Sequence, residues 1–201
     1  MLTEIKNAIR PAIVLLLVLT AITGLAYPLA MTGIAQVIMP AQANGSLIRD
    51  PGSAAGAGRI VGSELIGQNF AQARYFQPRP SAAGENGYDA SASAASNLAP
   101  GSQDLRDRID ASVREKGLTG VSVPPDLVTT SASGLDPHIS PEAAFSQAAR
   151  VAVARSLPAA QVQQMIRDAT EAPLLGFLGE PRVNVLLINR QLDETSANPA
   201  R

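Results

Sequence analysis

Hydrophobic positions along the chain fall into one long uninterrupted block followed by short segments broken up by glycine, proline and serine. No charged residue occurs between Arg10 and Arg49, and within that gap residues 12–31 read AIVLLLVLTAITGLAYPLAM. About 20 apolar residues, coiled as a helix, cross a hydrocarbon core about 30 Å thick. Buried helices of soluble proteins rarely run this long without charge, so the block reads as a transmembrane helix over 11–32. Its markers are Ala12, Leu16, Thr20, Gly24 and Pro28. Pro28 predicts a kink late in the span, because proline has no N–H to give to the preceding turn. Thr20 and Gly24 form a small-xxx-small pair that lets a second helix approach closely. Lys6 and Arg10 precede the span, with Glu4 the only acid there, and no Lys or Arg follows until Arg49. Basic flanks stay on the cytoplasmic side. The expected topology is therefore N-terminus inside and the remainder outside. Ala41-Gln42-Ala43 resembles a signal-peptidase site. However, the apolar stretch exceeds the 7–15 residues or so of a signal h-region.

Beyond the span the pattern changes to short alternations. Residues 40–58 read as a linker holding a short strand at Ser46 to Arg49, and Arg59 to Gly62 as a second strand. Ser63 to Phe70 suits a short helix. Residues 73–101 are long, turn-rich and weakly periodic, a kind of loop that in compact domains is functional or disordered. Tyr75, Phe76, Tyr88 and Leu98 supply apolar anchors that argue for order. Ser102 to Lys116 reads as a helix capped by Ser102 and ended by Gly117. Its apolar stripe is Leu105, Ile109 and Val113, with Asp104–Arg108 and Asp110–Arg114 as i,i+4 ion pairs. Leu127 to Thr130 resembles a strand. Ser140 is an N-cap with Pro141 in the first helical position, and Phe145, Ala148, Ala149 and Ala152 give that helix a packing face. Val162, Met165, Ile166 and Ala169 follow helical spacing, with Pro173 as the stop. Gly179-Glu180-Pro181 is a turn, and Val183 to Ile188 reads as a strand buried on both faces.

The fold class expected is a single N-terminal transmembrane helix plus a mixed α/β extracytoplasmic domain, about three helices on a small sheet. The expected divisions are a cytoplasmic tail at 1–10, the transmembrane helix at 11–32, a linker at 33–58, the domain at 59–192 and a disordered tail at 193–201.

Composition narrows the chemistry. The 201 residues carry 16 Lys+Arg and 17 Asp+Glu for a net charge of −1, so no basic face calls for a nucleic-acid partner. Cysteine is absent, which removes disulfides, thiolate metal sites and a Cys nucleophile. One His cannot assemble a zinc site of the usual ligands. No Gly-Lys dipeptide is present for a phosphate loop, and no Asp-Lys-Thr-Gly-Thr sequence for a P-type phosphorylation site. Gly56, Gly58 and Gly62 miss the dinucleotide fingerprint by one position. His138 could serve a Ser–His–Asp hydrolase, but its place between Pro137 and a helix cap favours a turn residue bonded to nearby backbone. Asp89, Asp126 and Asp136 read as caps and turn residues. Arg79, between Pro78 and Pro80, suits an ion pair inside the domain or with a partner.

Tyr75-Phe76, Arg79-Pro80-Ser81-Ala82-Ala83-Gly84, Tyr88-Asp89 and Ser96-Asn97-Leu98 together resemble the C subunit of the Kdp potassium-transporting P-type ATPase. So do Gly62 to Gln68, Asp126 to Thr129, Ser131 to Ser140, and Gly179-Glu180-Pro181 with Val183-Asn184-Val185-Leu186. The motifs keep the family's order over nearly the whole chain. The resemblance implies a non-catalytic accessory subunit of a high-affinity, ATP-driven potassium import pump in the cell inner (plasma) membrane. It implies as partners a channel-like potassium-binding subunit, a P-type ATPase subunit, a small single-helix subunit and the lipid bilayer. It further implies action as a catalytic chaperone that raises the ATP affinity of the ATPase subunit. ATP and potassium belong to the complex, and no cofactor is expected on this chain. The residues carried over as partner-facing or loop-defining are Tyr75, Phe76, Arg79, Pro80, Ser81, Tyr88, Asp89, Ser96, Asn97, Ser133, Gly134, Asp136 and His138. Where the family shows a Ser-Gly-Gly stretch the chain reads Ser93-Ala94-Ala95-Ser96-Asn97, and Ala99 stands where glycine is usual. Two other functions remain open on the residues alone: a membrane-anchored extracytoplasmic enzyme, which His138→Ala would inactivate, and a binding protein released by cleavage at Ala43.

Overall fold

A computed structural model describes residues 2–50, 58–116 and 122–197. The N-terminal apolar block forms α1 (Leu2–Ala21), a π-helical turn (Ile22–Ala26) and α2 (Tyr27–Ile38). Within it, Lys6–Ile38 makes a 33-residue helix with mean hydropathy 2.3 over its most apolar window. That is about 50 Å of helix, longer than the hydrocarbon core. Its large apolar side chains stand exposed, so no protein core in the described residues accounts for them. Pro28 is accommodated by the π-turn just before it. The Tyr27 N–H skips one residue and bonds to the Ile22 carbonyl, which absorbs the donor that proline lacks. Thr23 gives its hydroxyl to the Leu19 carbonyl at 2.7 Å. Residues 33–38, expected as linker, continue the helix, and α3 (Pro40–Ala43) adds one further turn.

The chain divides between Leu47 and Ile48 into two compact units. Strands β1 (Leu47–Arg49) and β2 (Ile60–Ser63) pair as a two-stranded sheet. The second unit continues with α4 (Gln103–Glu115), a 3-10 turn (Pro125–Leu127), β3 (His138–Ile139), α5 (Pro141–Arg155) and α6 (Ala159–Ala169). It ends with β4 (Thr170–Glu171), β5 (Arg182–Asn184) and α7 (Val185–Ala197). Strand order is β3-β5-β4, with both pairings antiparallel; Ile139 and Thr170 both face Val183 in the ladder. The core joins Ile139, Val151, Val162, Ile166, Val183, Ile188 and Leu192 with Phe76 and Leu127.

Local rules explain most helix ends. Ser102 accepts the Leu105 N–H, and Ser140 accepts the Ala143 N–H with Pro141 at the first helical position. The apolar run from Val183 to Ile188 is not one strand. Asn184, its polar member, accepts the Leu186 and Leu187 N–H groups at 3.1 and 3.2 Å and so caps α7. The helix then runs through Ala197, across the segment expected to be a disordered tail. Residues 198–201 lie outside the described residues.

Other expectations are corrected. The three helices expected on the sheet are α5, α6 and α7, which contact β5; α4 is a further helix with no buried residue. Residues 64–70 form turns and extended backbone in place of a helix, and the segment expected as a strand at 127–130 begins inside a 3-10 turn instead. In α5 the buried face is Ala143, Ala144, Gln147, Ala148, Val151 and Ala152, so Phe145 and Ala149 point outward. The helix α6 ends at Ala169, before Pro173, because the chain passes directly into β4. Among the described residues no ion pair joins Asp104 to Arg108 or Asp110 to Arg114; Arg108 reaches the Ser81 carbonyl at 3.4 Å instead. Gly117 and Gly56 lie outside the described residues.

Candidate functional site

The long segment 73–101 contains no helix or strand, yet polar side chains hold it at two places. The first is around Tyr75 and Phe76. Phe76 is fully buried. Its N–H donates to Asn189 Oδ1 at 2.8 Å, and its carbonyl accepts from Asn189 Nδ2 at 2.9 Å. Gln147 repeats the arrangement one residue on: Oε1 accepts the Gln77 N–H at 2.7 Å and Nε2 donates to the Gln77 carbonyl at 3.1 Å. Two side-chain amides thus give an extended segment the pairing that a neighbouring strand would give. Arg155 Nη2 lies 2.8 Å from Asp193 Oδ1, Tyr75 donates its hydroxyl to Asp193 Oδ2 at 3.0 Å, and the Arg155 guanidinium sits 4.9 Å from the centre of the Tyr75 ring.

The second place joins the loop to residues 131–140. Ser81 donates its hydroxyl to the Gly134 carbonyl at 2.6 Å and accepts the N–H groups of Ala83 and Tyr88. Tyr88, itself at a φ of 60°, donates its hydroxyl to the Arg79 carbonyl. Ser93 and the Ala94 N–H both donate to the Ser133 carbonyl. Gly134 is required where it stands. Its φ is +68°, and a Cβ there would lie 2.7 Å from the Ala94 carbonyl oxygen and 2.8 Å from the Ala83 nitrogen.

At the centre, Arg79 Nη1 reaches Asp136 Oδ2 at 3.3 Å, and Nη2 the Thr130 carbonyl at 3.3 Å. Its buried Nε has no partner among the described residues. Asp136 Oδ1 also accepts the His138 N–H at 3.0 Å and lies 3.4 Å from His138 Nδ1. Burial pushes the Asp136 carboxyl upward, but the hydrogen bonds from His138 and the charge of Arg79 outweigh it and hold the group below its ordinary value. Burial, aided by the nearby Asp136 charge and opposed by Arg79, raises the Tyr88 phenol far above its ordinary range. Asp126 fixes Ser140, accepting both its N–H at 2.6 Å and its hydroxyl at 3.1 Å. A cleft of about 800 Å³ opens here, lined by Arg79, Asp126, Asp136, His138, Glu142 and Arg182 among others.

The structure therefore brings Arg79, Ser81, Tyr88, Gly134, Asp136 and His138 together and leaves Tyr75 and Phe76 in the other cluster. Asp89 makes a local turn, accepting the N–H and hydroxyl of Ser91. Ser96 and Asn97 enter neither network; Asn97 is exposed at a φ of 52°. Phe76 is fully buried, with its backbone held by Asn189. Asn189, Gln147 and Asp193 were not singled out by the sequence, and Asp126 was read there as a cap or turn residue. For Gln147 and Asn189 a signal exists: each is a polar residue within the apolar stripe of its helix. Among the described residues no serine hydroxyl bonds to His138, and no cluster of three or more His, Asp or Glu could hold a metal ion.

A family model described as "K+-transporting ATPase, c chain" matches residues 9–194, which takes in both clusters and most of the apolar helix. The chain belongs to the KdpC family. Among its relatives, the potassium-transporting ATPase KdpC subunit of Caulobacter sp. (strain K31) is 55% identical over 187 residues, covering 92% of each chain. The KdpC subunit of Polaromonas naphthalenivorans (strain CJ2) is 55% identical over 193 residues, covering 94% of this chain and 95% of that protein. That of Variovorax paradoxus (strain S110) is 52% identical over 196 residues, covering 96% and 98%. The likeness thus covers more than nine-tenths of each chain.

Proposed function

We propose that this KdpC-family protein is the non-catalytic accessory subunit of an ATP-driven potassium import pump. It works beside a channel-like potassium-binding subunit, a P-type ATPase subunit and a small single-helix subunit. The observation that carries this reading is the family match over residues 9–194 joined to an exposed 33-residue apolar helix. The helix is anchored in the plasma membrane with the N-terminus inside, since Lys6 and Arg10 precede the span and no basic residue follows before Arg49. The α/β domain then lies outside, where it caps the outer face of the channel-like subunit, supports assembly and shapes ion entry.

Cytoplasmic ATP is out of reach of such a domain. The chain binds no nucleotide itself, and any rise in ATP affinity passes through the partner subunits. Couplings of this kind are typically about 1–3 kcal/mol, or roughly 5- to 150-fold in affinity. Both polar networks support a scaffold role, because Asn189 and Gln147 in one, and Arg79, Asp136, Ser140 and Asp126 in the other, bond to backbone and to one another.

A reporter fused at the C-terminus tests the topology, and detergent co-purification tests the assembly. The expected result is an outside reporter and recovery of the pump subunits with the chain. A cytosolic reporter would overturn both the anchoring geometry and the indirect action on ATP.

A further inference from the structure

The loop of the β4–β5 hairpin carries a feature that neither polar network uses. Residues 173–179 read PLLGFLG, with no charge. Leu174, Leu175, Phe177 and Leu178 are 70, 75, 74 and 50% exposed. Four large apolar side chains crowded on one exposed turn differ from the scattered surface hydrophobics of ordinary proteins. The turn is built to hold them there. Leu174 and Leu178 exchange backbone hydrogen bonds at 3.0 and 2.9 Å. Leu175 and Gly176 both adopt left-handed backbone, at φ of 56° and 80°, as a tight hairpin turn requires. At the base Arg182 pairs with Glu171 at 2.8 Å. Glu180, on the shoulder of the finger, is exposed and has no ion-pair partner among the described residues.

We infer that this preformed finger inserts into an apolar pocket with a basic rim on a partner subunit of the pump. The inference rests on the accessory-subunit reading and names the contact it needs. Order before binding lowers the entropic cost of docking, and an aromatic anchor flanked by leucines suits the buried centre of an interface. The unpaired Glu180 selects the occupant. Loops that enter membranes carry Lys, Arg or Trp beside their apolar residues to meet anionic headgroups. This finger carries none at its tip, its basic neighbour Arg182 is already neutralised, and Glu180 would be repelled by such a surface.

The test uses the full chain co-expressed with the pump. A photo-crosslinking residue at Phe177 should capture a pump subunit. The double variant Leu175→Asp, Phe177→Asp should lower co-purified pump at least tenfold with an unchanged thermal midpoint, since neither side chain is in the core. Glu180→Lys should weaken recovery as well. Crosslinks to phospholipid or to a second copy of the chain, or undiminished recovery of the double variant, would overturn the finger's role while leaving the subunit reading intact. Failure of the unaltered chain to recover the pump would instead sink the subunit reading.

Discussion

Asn189 and Gln147 each turn a side-chain amide onto the backbone of residues 76–77, and the energetics of the loop follow from that. Removing one amide leaves a buried donor and a buried acceptor without partners, each at a cost of about 1–3 kcal/mol. Asn189→Ala should therefore lower unfolding free energy by about 2–4 kcal/mol, read as a shift in the urea midpoint. Gly134→Ala faces a different penalty: an unfavourable φ and two backbone atoms closer than 3 Å to the new methyl. It should destabilise by more than the ~1 kcal/mol typical of a strained backbone residue. Asp136 adds a pH dependence. Its carboxyl is more acidic folded than unfolded. The stabilisation it gives is thus complete above its ordinary value of about 4 and disappears as pH falls through the lower folded-state value. Asp136→Asn should lose that increment at neutral pH, and the urea midpoints of variant and wild type should converge in acid.

Among the elements, α7 shows how one polar residue redirects an apolar run. Val183 to Ile188 has the composition of a buried strand, but Asn184 both pairs with His138 across the sheet and caps the helix that follows. Its Nδ2 also donates to the Glu64 carbonyl at 2.8 Å, tying the segment after β2 to the sheet. Asn184→Ala should cost about 1 kcal/mol from the cap alone and more through the lost tie. Hydrogen exchange would then rise first in the opening turn of α7. The far end of that helix holds Asp193, the shared partner of Arg155 and Tyr75. A chain ending at residue 192 should therefore free the 73–76 segment, seen as faster proteolysis there. Helices α4, α5 and α6 were legible because their signals are local: a serine cap, a proline in the first turn, apolar residues three and four apart. Both ends of α4 and the start of α5 agree within a residue for that reason, whereas α6 ends at Ala169, short of the expected stop at Pro173. The face of α5 was misjudged because periodicity alone weighed Phe145 above a glutamine, whereas packing against β5 selected the side carrying Gln147.

For the whole molecule, the proposed topology rests on charge placed at one end of an apolar rod. Replacing Lys6 and Arg10 with Glu while adding two arginines after residue 38 should move a C-terminal reporter to the cytosolic side, as far as basic flanks control orientation. The sequence by itself determined the apolar span, the capped helices, the absence of thiolate and phosphate-loop chemistry, and the family, since each of these is written in neighbouring residues. Only the tertiary structure decided which polar residues meet. Residues 76 and 189, 79 and 136, and 81 and 134 are brought together by folding across scores of positions, with no periodicity to announce them. The same holds for the exposed finger: Leu174 to Leu178 has the composition of a core segment, and only the path of the surrounding backbone leaves it in the open. Burial belongs to the assembled chain, because an apolar side chain is sheltered by whatever packs on it and not by its neighbours in sequence.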